Sequence, residues 1–224
     1  MSSVVFRPVA DSALLIELGD QVDDLTNQKV ISLDQAISNA AICGVVETIP
    51  ALVNLLVVFD PVTTDFIEIR SKIETLLPIE PKPGKRGKTH VLNACYESEI
   101  APDLAAVAKS CGMSPDEVIN LHTSAEFRVG MYGFVPGFAY LMGLPEQIQV
   151  PRKKEAIPNV AEGNVIIAGA QCIVTTLNMP SGWSIIGKSD AQILGDDPDK
   201  AFLFNVGDTV VFKRVSLNEL KWTA

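Results

Sequence analysis

Several short stretches of this 224-residue chain carry side chains that could do chemistry. Pro151-Arg152-Lys153-Lys154 places three cations side by side in a chain with 27 acidic and 18 basic residues. Such a cluster can receive a carboxylate or phosphate, and Arg152 suits this best because its guanidinium presents a planar two-pronged donor edge. A solvated surface turn has the same composition. Ala168-Gly169-Ala170-Gln171 stops an apolar run at a glycine and then offers an amide. Gln171 can donate and accept together, which fits an amide or urea-like group. His122 closes a predicted helix, where the dipole favours the imidazolium and would hold its pKa near or above about 6.5. That tuning suits an acid or base for lactam or carboxyl chemistry; the alternative is a structural histidine at a helix end.

Two further stretches need weighing. Tyr132-Gly133-Phe134-Val135-Pro136-Gly137-Phe138-Ala139-Tyr140-Leu141 sets aromatics in a turn held by glycine and proline. It reads either as a rigid binding platform or as a core-filling loop. Gly182-Trp183-Ser184-Ile185-Ile186-Gly187-Lys188-Ser189 matches the phosphate-loop pattern G-x-x-x-x-G-K-[ST] letter for letter. A phosphate cradle needs a loop that opens a helix, with backbone N–H groups facing the anion. Here the intervening residues are strand-like, and Asp190 to Asp199, with Gly195 and Pro198, makes a poor helix. The stretch is read as a strand.

The elements that must hold these groups fall into two sets. Pro78 to Lys88 packs three prolines, two glycines and four cations into eleven residues, which no helix or central strand tolerates. Residues 81–90 are therefore expected to be a linker between a domain over 1–80 and another over 91–224. In the first, apolar runs predict strands at 13–18, 45–50 and 52–59, and helical periodicity predicts helices over 24–41 and around 66–77. The expected architecture is a small sheet with helices on one face. In the second, a strand at 90–96 is followed by two short helices. Ser114-Pro115-Asp116-Glu117 opens the later one with a cap, a first-position proline and a capping box. Beyond about His122 the chain is β-like, with short strands predicted at 165–168, 183–186, 201–204 and 209–213 between Gly/Pro turns, as in a barrel or sandwich.

Composition sets limits on function. With 47% hydrophobic residues the chain can bury a core, and a formal charge of −9 leaves no basic face for nucleic acid or anionic membrane. No apolar run approaches the roughly 18 residues of a span, and the start lacks a signal-peptide pattern, so a cytoplasmic protein is expected. Cys43, Cys95, Cys111 and Cys172 are never spaced as C-x-x-C, and His90 and His122 are the only histidines, so no metal site is expected.

Taken in order, the motifs resemble a known family. His122-Thr123-Ser124-Ala125-Glu126-Phe127, Gly133 to Leu141, Leu144-Pro145, Pro151-Arg152, Ile167 to Gln171 and Pro180 to Gly187 follow the order and spacing of the bacterial group of 5-oxoprolinase B subunits, PxpB. That group includes the kinase inhibitor KipI and proteins once called allophanate hydrolase subunit 1. The resemblance spans essentially the whole chain and is densest from 121 to 189. It implies an α+β N-terminal domain followed by a mainly β, cyclophilin-like barrel domain related to the carboxyltransferase domain of urea carboxylase. It also implies a complex with homologues of the enzyme's A and C subunits that opens 5-oxoproline to glutamate using ATP, a cofactor of the complex. On this resemblance Phe134, Pro136, Gly137, Phe138, Arg152 and Gln171 line a pocket for a small carboxylate or lactam, with His122 and Glu126 nearby. Arg152 would bind the carboxylate, Gln171 orient the amide and His122 act as acid or base.

The sequence departs from the family's pattern at several positions. Ile157-Pro158 stands where a second Pro-Arg is usual, and Val160-Ala161-Glu162-Gly163-Asn164-Val165 replaces V-P-A-G-S-V. After Gln171 the chain reads Cys172-Ile173-Val174-Thr175-Thr176 where the family has T-G-x-Y-P. Losing an arginine and a tyrosine from one pocket would weaken carboxylate binding. The departures keep a second expectation open, a KipI-like regulator that docks on a sensor histidine kinase without chemistry. A biotin-linked carboxyltransferase fragment is a third expectation.

Overall fold

The computed structural model describes residues 4–80, 87–195, 197 and 201–221, and the chain divides into two compact units, 1–85 and 86–224. Residues 81–86 of the expected linker lie outside the described residues.

The first unit is a four-stranded antiparallel sheet. Its strands are β1 (Val5–Val9), β2 (Ala13–Glu17), β3 (Val45–Pro50) and β4 (Asn54–Phe59), in the order β1-β2-β4-β3. Alternate residues of the two central strands, Leu14 and Ile16 on β2 and Leu55, Val57 and Phe59 on β4, are buried. They form one cluster with Val30, Leu33 and Ile37 of α1 (Asp24–Ala40) and with Ile69 and Ile73 of α2 (Phe66–Glu74). Both helices start as their sequences dictate: Asp23 accepts from the Thr26 amide (2.7 Å) and Asp65 from the Glu68 amide (2.9 Å). Strand β1 was not expected, because Arg7-Pro8 interrupts its apolar pattern. It is an edge strand, where a proline costs little.

The second unit closes into a seven-stranded barrel. It contains β5 (Thr89–Cys95), β6 (Phe127–Tyr132), β7 (Ala139–Met142), β9 (Asn164–Ala168), β10 (Gln171–Val174), β12 (Ser184–Ser189) and β13 (Thr209–Arg214), in the order β10-β7-β6-β13-β5-β12-β9. Only β13 and β5 run parallel. The interior is filled by Leu92, Phe127, Val129, Leu141, Ile167 and Phe212, and helices α3 (Leu104–Cys111) and α4 (Pro115–Ser124) pack against it. The predicted capping box of α4 is present, with Ser114 and Glu117 bonded reciprocally. A two-stranded ribbon, β8 (Ile157–Val160) with β11 (Met179–Ser181), completes the unit.

Alternation along the strands explains where the ribbon lies. On β9, Val165 and Ile167 face the interior while Ile166 and Ala168 join a second cluster with Ile173, Ile185, Trp183, Phe138, Val160 and Met179. All five β9 residues are buried, so this part of the barrel wall is covered on both faces. The strand predicted over 201–204 does not form among the described residues. Phe202 makes a single bridge to Leu194, and Phe204 is used instead as a buried wedge, its ring 5.0 Å from that of His90.

Ile167 is fully buried in the barrel interior. Ile167→Ala should cost about 2–5 kcal/mol in chemical denaturation, the range for large-to-small changes in a packed core. A loss below about 1 kcal/mol would contradict the interior assignment.

Candidate functional site

The outer cluster continues onto the surface as a row of aromatic rings. Phe134 meets Phe138 edge-on (centroids 5.4 Å apart), Phe138 meets Tyr140 (5.4 Å) and Tyr140 meets Trp183 (6.1 Å). The Arg152 guanidinium lies over the Trp183 ring, 5.5 Å from its centroid. Phe138 and Trp183 are buried, whereas Phe134 is 66% exposed and Arg152 is exposed. The row therefore runs from an open apolar tip to an open cation.

Local sequence builds both ends. The 133–138 turn is closed by Gly133 N–H to the Phe138 carbonyl (3.2 Å) and Phe138 N–H to the Val135 carbonyl (3.1 Å). Gly137 has φ +71, and a Cβ there would come within 2.6 Å of Leu194 Cδ2, so only glycine fits. Thr176 Oγ1 donates to the Pro136 carbonyl (2.8 Å). Phe134 is left-handed at φ 72, a conformation that costs a residue with a Cβ about 1–2 kcal/mol. Strain of this kind concentrates where a side chain must be presented to something.

At the other end, Lys153 N–H donates to the Gly182 carbonyl (2.7 Å), and Gly169 N–H to the Val150 carbonyl (2.7 Å). The Lys153 ammonium is taken by Asp103 Oδ2 (2.5 Å), which also accepts from Ile185 N–H (2.7 Å). Of the Arg-Lys-Lys run, Lys153 is thus structural, and this stitching holds Arg152 above Trp183. An exposed guanidinium held over an aromatic ring can still offer N–H donors to a planar anion. Gln171 opens β10 opposite Ala168 and Met142. Alternation with the inward-facing Cys172 puts its amide on the outer face, in the column of Ile173.

The structure thus places Arg152, Gln171, Phe134, Pro136, Gly137 and Phe138 on one face of the barrel. Glu126 is exposed just ahead of β6, and no contact among the described residues joins it to that face. His122 is a correction. Its ring is fully buried inside the barrel, between Phe127 (5.0 Å) and Phe212 (4.6 Å). Nδ1 lies 2.8 Å from the Tyr96 hydroxyl and Nε2 lies 3.4 Å from Cys172 Sγ. Burial pushes its pKa down to about 3, opposite to the helix-end expectation, because loss of hydration outweighs the dipole. Burial also raises the Tyr96 and Cys172 pKa values, so the three form a neutral chain out of reach of solvent. The sequence held the signal: His122 sits four residues after Val118 and three after Ile119, on the buried stripe of α4.

Two other arrangements emerge only in three dimensions. Asp208, buried, accepts from His90 Nε2 (2.8 Å), Lys88 N–H (2.8 Å) and Asn205 N–H (2.9 Å), tying the start of β5 to the start of β13. The phosphate-loop match is a strand, since Ser184–Ser189 is β12, and Gly187 is needed there because a Cβ would meet the Cys95 carbonyl at 2.7 Å. Lys188 and Ser189 instead border a separate cavity of about 270 Å³ with Glu162, Thr175 and Thr176. Among the described residues no group of three metal-ligating side chains converges, and no helix is long and apolar enough to cross a membrane.

Comparison with known proteins gives a consistent likeness. Residues 4–204 match the family described as carboxyltransferase domain, subdomain C and D. The B subunit of 5-oxoprolinase from Bacillus subtilis (strain 168) is 32% identical over 219 residues, covering 93% of this chain and 91% of that protein. The solved structure of TTHA0988 superposes with a TM-score of 0.80 at 27% identity, over 92% of this chain but only 40% of that one. The urea amidolyase of Kluyveromyces lactis shares the fold at a TM-score of 0.78 and 19% identity, over 97% of this chain and 15% of that one.

The buried neutral His122 has a consequence for acid stability. Its folded-state pKa lies below the unfolded value of about 6.5, so the unfolded chain binds the extra proton. Its contribution is complete above that value and is lost as pH falls towards 3, by up to ~1.4 kcal/mol per pH unit. Denaturation midpoints measured from pH 7 to pH 4 should show this slope in the parent chain and a shallower one in His122→Gln. Equal slopes would show that the ring is not buried neutral.

Proposed function

The chain belongs to the carboxyltransferase-domain family that holds the 5-oxoprolinase B subunits, and on that premise we propose that it is the B subunit of an ATP-dependent 5-oxoprolinase. It acts with homologues of the A and C subunits in the cytoplasm to open the lactam of 5-oxoproline to glutamate. The first unit corresponds to the family's α+β domain and the second to its cyclophilin-like barrel.

The observation that carries this reading is the exposed Arg152 guanidinium over the Trp183 ring at the end of the aromatic row. The guanidinium binds the substrate carboxylate through its open edge. Gln171, on the same face, donates to the lactam carbonyl and accepts from the lactam N–H. The apolar ring of the substrate lies along Tyr140 and Phe138, with Phe134 as the outer wall that limits water. His122 has no contact with substrate in this reading; its bond to Tyr96 ties α4 to the barrel it packs against. ATP is used by the complex, and the phosphate-loop pattern of this chain, being strand β12, is not a cradle for it.

One observation favours a second reading. Phe134 holds an exposed apolar ring in a strained conformation, as a docking surface on another protein would. This fits a KipI-like regulator of a sensor histidine kinase, in which the altered positions around Glu162 and Thr175 reflect a lost reaction.

Reconstitution tests the enzyme reading. With the A and C partners, this chain should give glutamate from 5-oxoproline only when ATP is present. Arg152→Ala should raise KM about 10–100-fold, the equivalent of one charge-assisted contact, with the barrel still folded. Glutamate formation that continues without this chain, or an unchanged KM, would overturn it. Inhibition of kinase autophosphorylation without any glutamate would select the regulator.

A further inference from the structure

The chain has three tyrosines, and two of their hydroxyls are taken by the protein. The Tyr96 hydroxyl lies 2.8 Å from His122 Nδ1, and the Tyr132 hydroxyl donates to the Phe204 carbonyl (2.8 Å). The third belongs to Tyr140, in the middle of the aromatic row, and it bonds to none of the described residues. Its ring is half-buried between Phe138 and Trp183. A phenylalanine would meet the packing alone. A tyrosine hydroxyl kept among apolar rings without a protein partner is open to a ligand.

Strand register sets this side chain between the two polar groups of the outer face. Ala139 and Leu141 belong to the barrel interior, so Tyr140 and Met142 point outward. Gln171 stands opposite Met142 across the β7–β10 ladder. Tyr140, two residues from Met142 on the same face, is therefore the diagonal neighbour of Gln171. Diagonal neighbours stand roughly 7–8 Å apart, within reach of an aromatic side chain. On its other side the Tyr140 ring is 6.1 Å from that of Trp183, and the Arg152 guanidinium lies 5.5 Å from the centroid of the same indole. Among the described residues, the side chains of Arg152 and Gln171 also make no hydrogen bond or ion pair. Three open polar groups thus follow one another along the face, with Tyr140 in the middle.

We propose that Tyr140 is a specificity-determining residue of this site, its hydroxyl donating to the substrate carboxylate beside Arg152. The proposal rests on the 5-oxoprolinase reading and deepens it. A carboxylate has about four lone-pair positions, and one guanidinium edge fills two of them. The Tyr140 O–H fills a third, which leaves Gln171 to the lactam amide. Phe138 and Trp183 hold the phenol ring from both sides, so little side-chain freedom is lost when the bond forms. The acid is then read by one charged and one neutral donor, and a lactam without the carboxylate gains from neither.

Tyr140→Phe tests it, because the variant loses the hydroxyl and keeps the ring and the row. In the complex reconstituted with the A and C partners, it should raise KM for 5-oxoproline about tenfold and leave kcat within about twofold. Both groups hold one carboxylate, so adding Tyr140→Phe to Arg152→Ala should cost less than about threefold more. In the parent complex labelled with ¹³Cζ-tyrosine, 5-oxoproline should shift the resonance that Tyr140→Phe removes. A parental KM in Tyr140→Phe, a full tenfold loss on the Arg152→Ala background, or a Tyr140 resonance that ignores 5-oxoproline would overturn the proposal. A fall in kcat at unchanged KM would put the hydroxyl on the reacting lactam and overturn the carboxylate assignment. Any of these results from a parent complex that makes glutamate leaves the enzyme reading standing, whereas a parent complex that makes none overturns both.

Discussion

Burial of the β9–β10–β12 wall on both faces is the constraint from which the candidate site follows. A barrel strand normally hides one face and wets the other, yet all five residues of β9 are buried, and Ile166, Ile173 and Ile185 point outward. That outer apolar face has to be covered. The β8–β11 ribbon supplies Val160 and Met179, and the loops before β7 and β12 supply Phe138 and Trp183. The aromatic row is the rim of this cover. Arg152 is placed where the cover ends, and Asp103 keeps the segment there by engaging Lys153 and the β12 backbone together. Fold and site are thus one packing problem: what hides the outer wall also presents the cation and the exposed ring.

Polar chemistry is divided between the two sides of that wall. Inside, His122, Tyr96 and Cys172 satisfy one another as neutral groups, and burial shifts each away from its charged form. Outside, the exposed Arg152 guanidinium lies over the indole ring of Trp183. The open guanidinium of Arg152 is therefore on the outer side of the wall, away from the buried polar groups of the interior.

Much of this was legible in the residues. Apolar runs of strand length marked β2 and β4, the Ser114–Glu117 box marked the start of α4, and the strand-like Trp183-Ser184-Ile185-Ile186 separated β12 from a true phosphate loop. The motif order carried the family. What stayed hidden depends on long-range contact. Strand β1 is disguised by Arg7-Pro8, and Phe204 has strand-like neighbours but serves as a wedge against His90. The basic run does not say that Lys153 is consumed by Asp103, fifty positions away. A helix-end position suggested a charged His122, whereas its spacing from Val118 and Ile119 already placed it on the buried stripe. The cavity beside β12 draws on four separated segments and has no local signature.

Recognition at this face turns on whether the Arg152 edge above Trp183 receives the substrate carboxylate. The direct measurement follows the Arg152 Nε–Hε resonance in the assembled complex while 5-oxoproline is added, with pyrrolidin-2-one, the same lactam without the carboxylate, as the comparison. A carboxylate held by Arg152 predicts a saturable shift of that resonance with 5-oxoproline and none with pyrrolidin-2-one at equal concentration. An Arg152 resonance that ignores 5-oxoproline while the complex turns it over would contradict it.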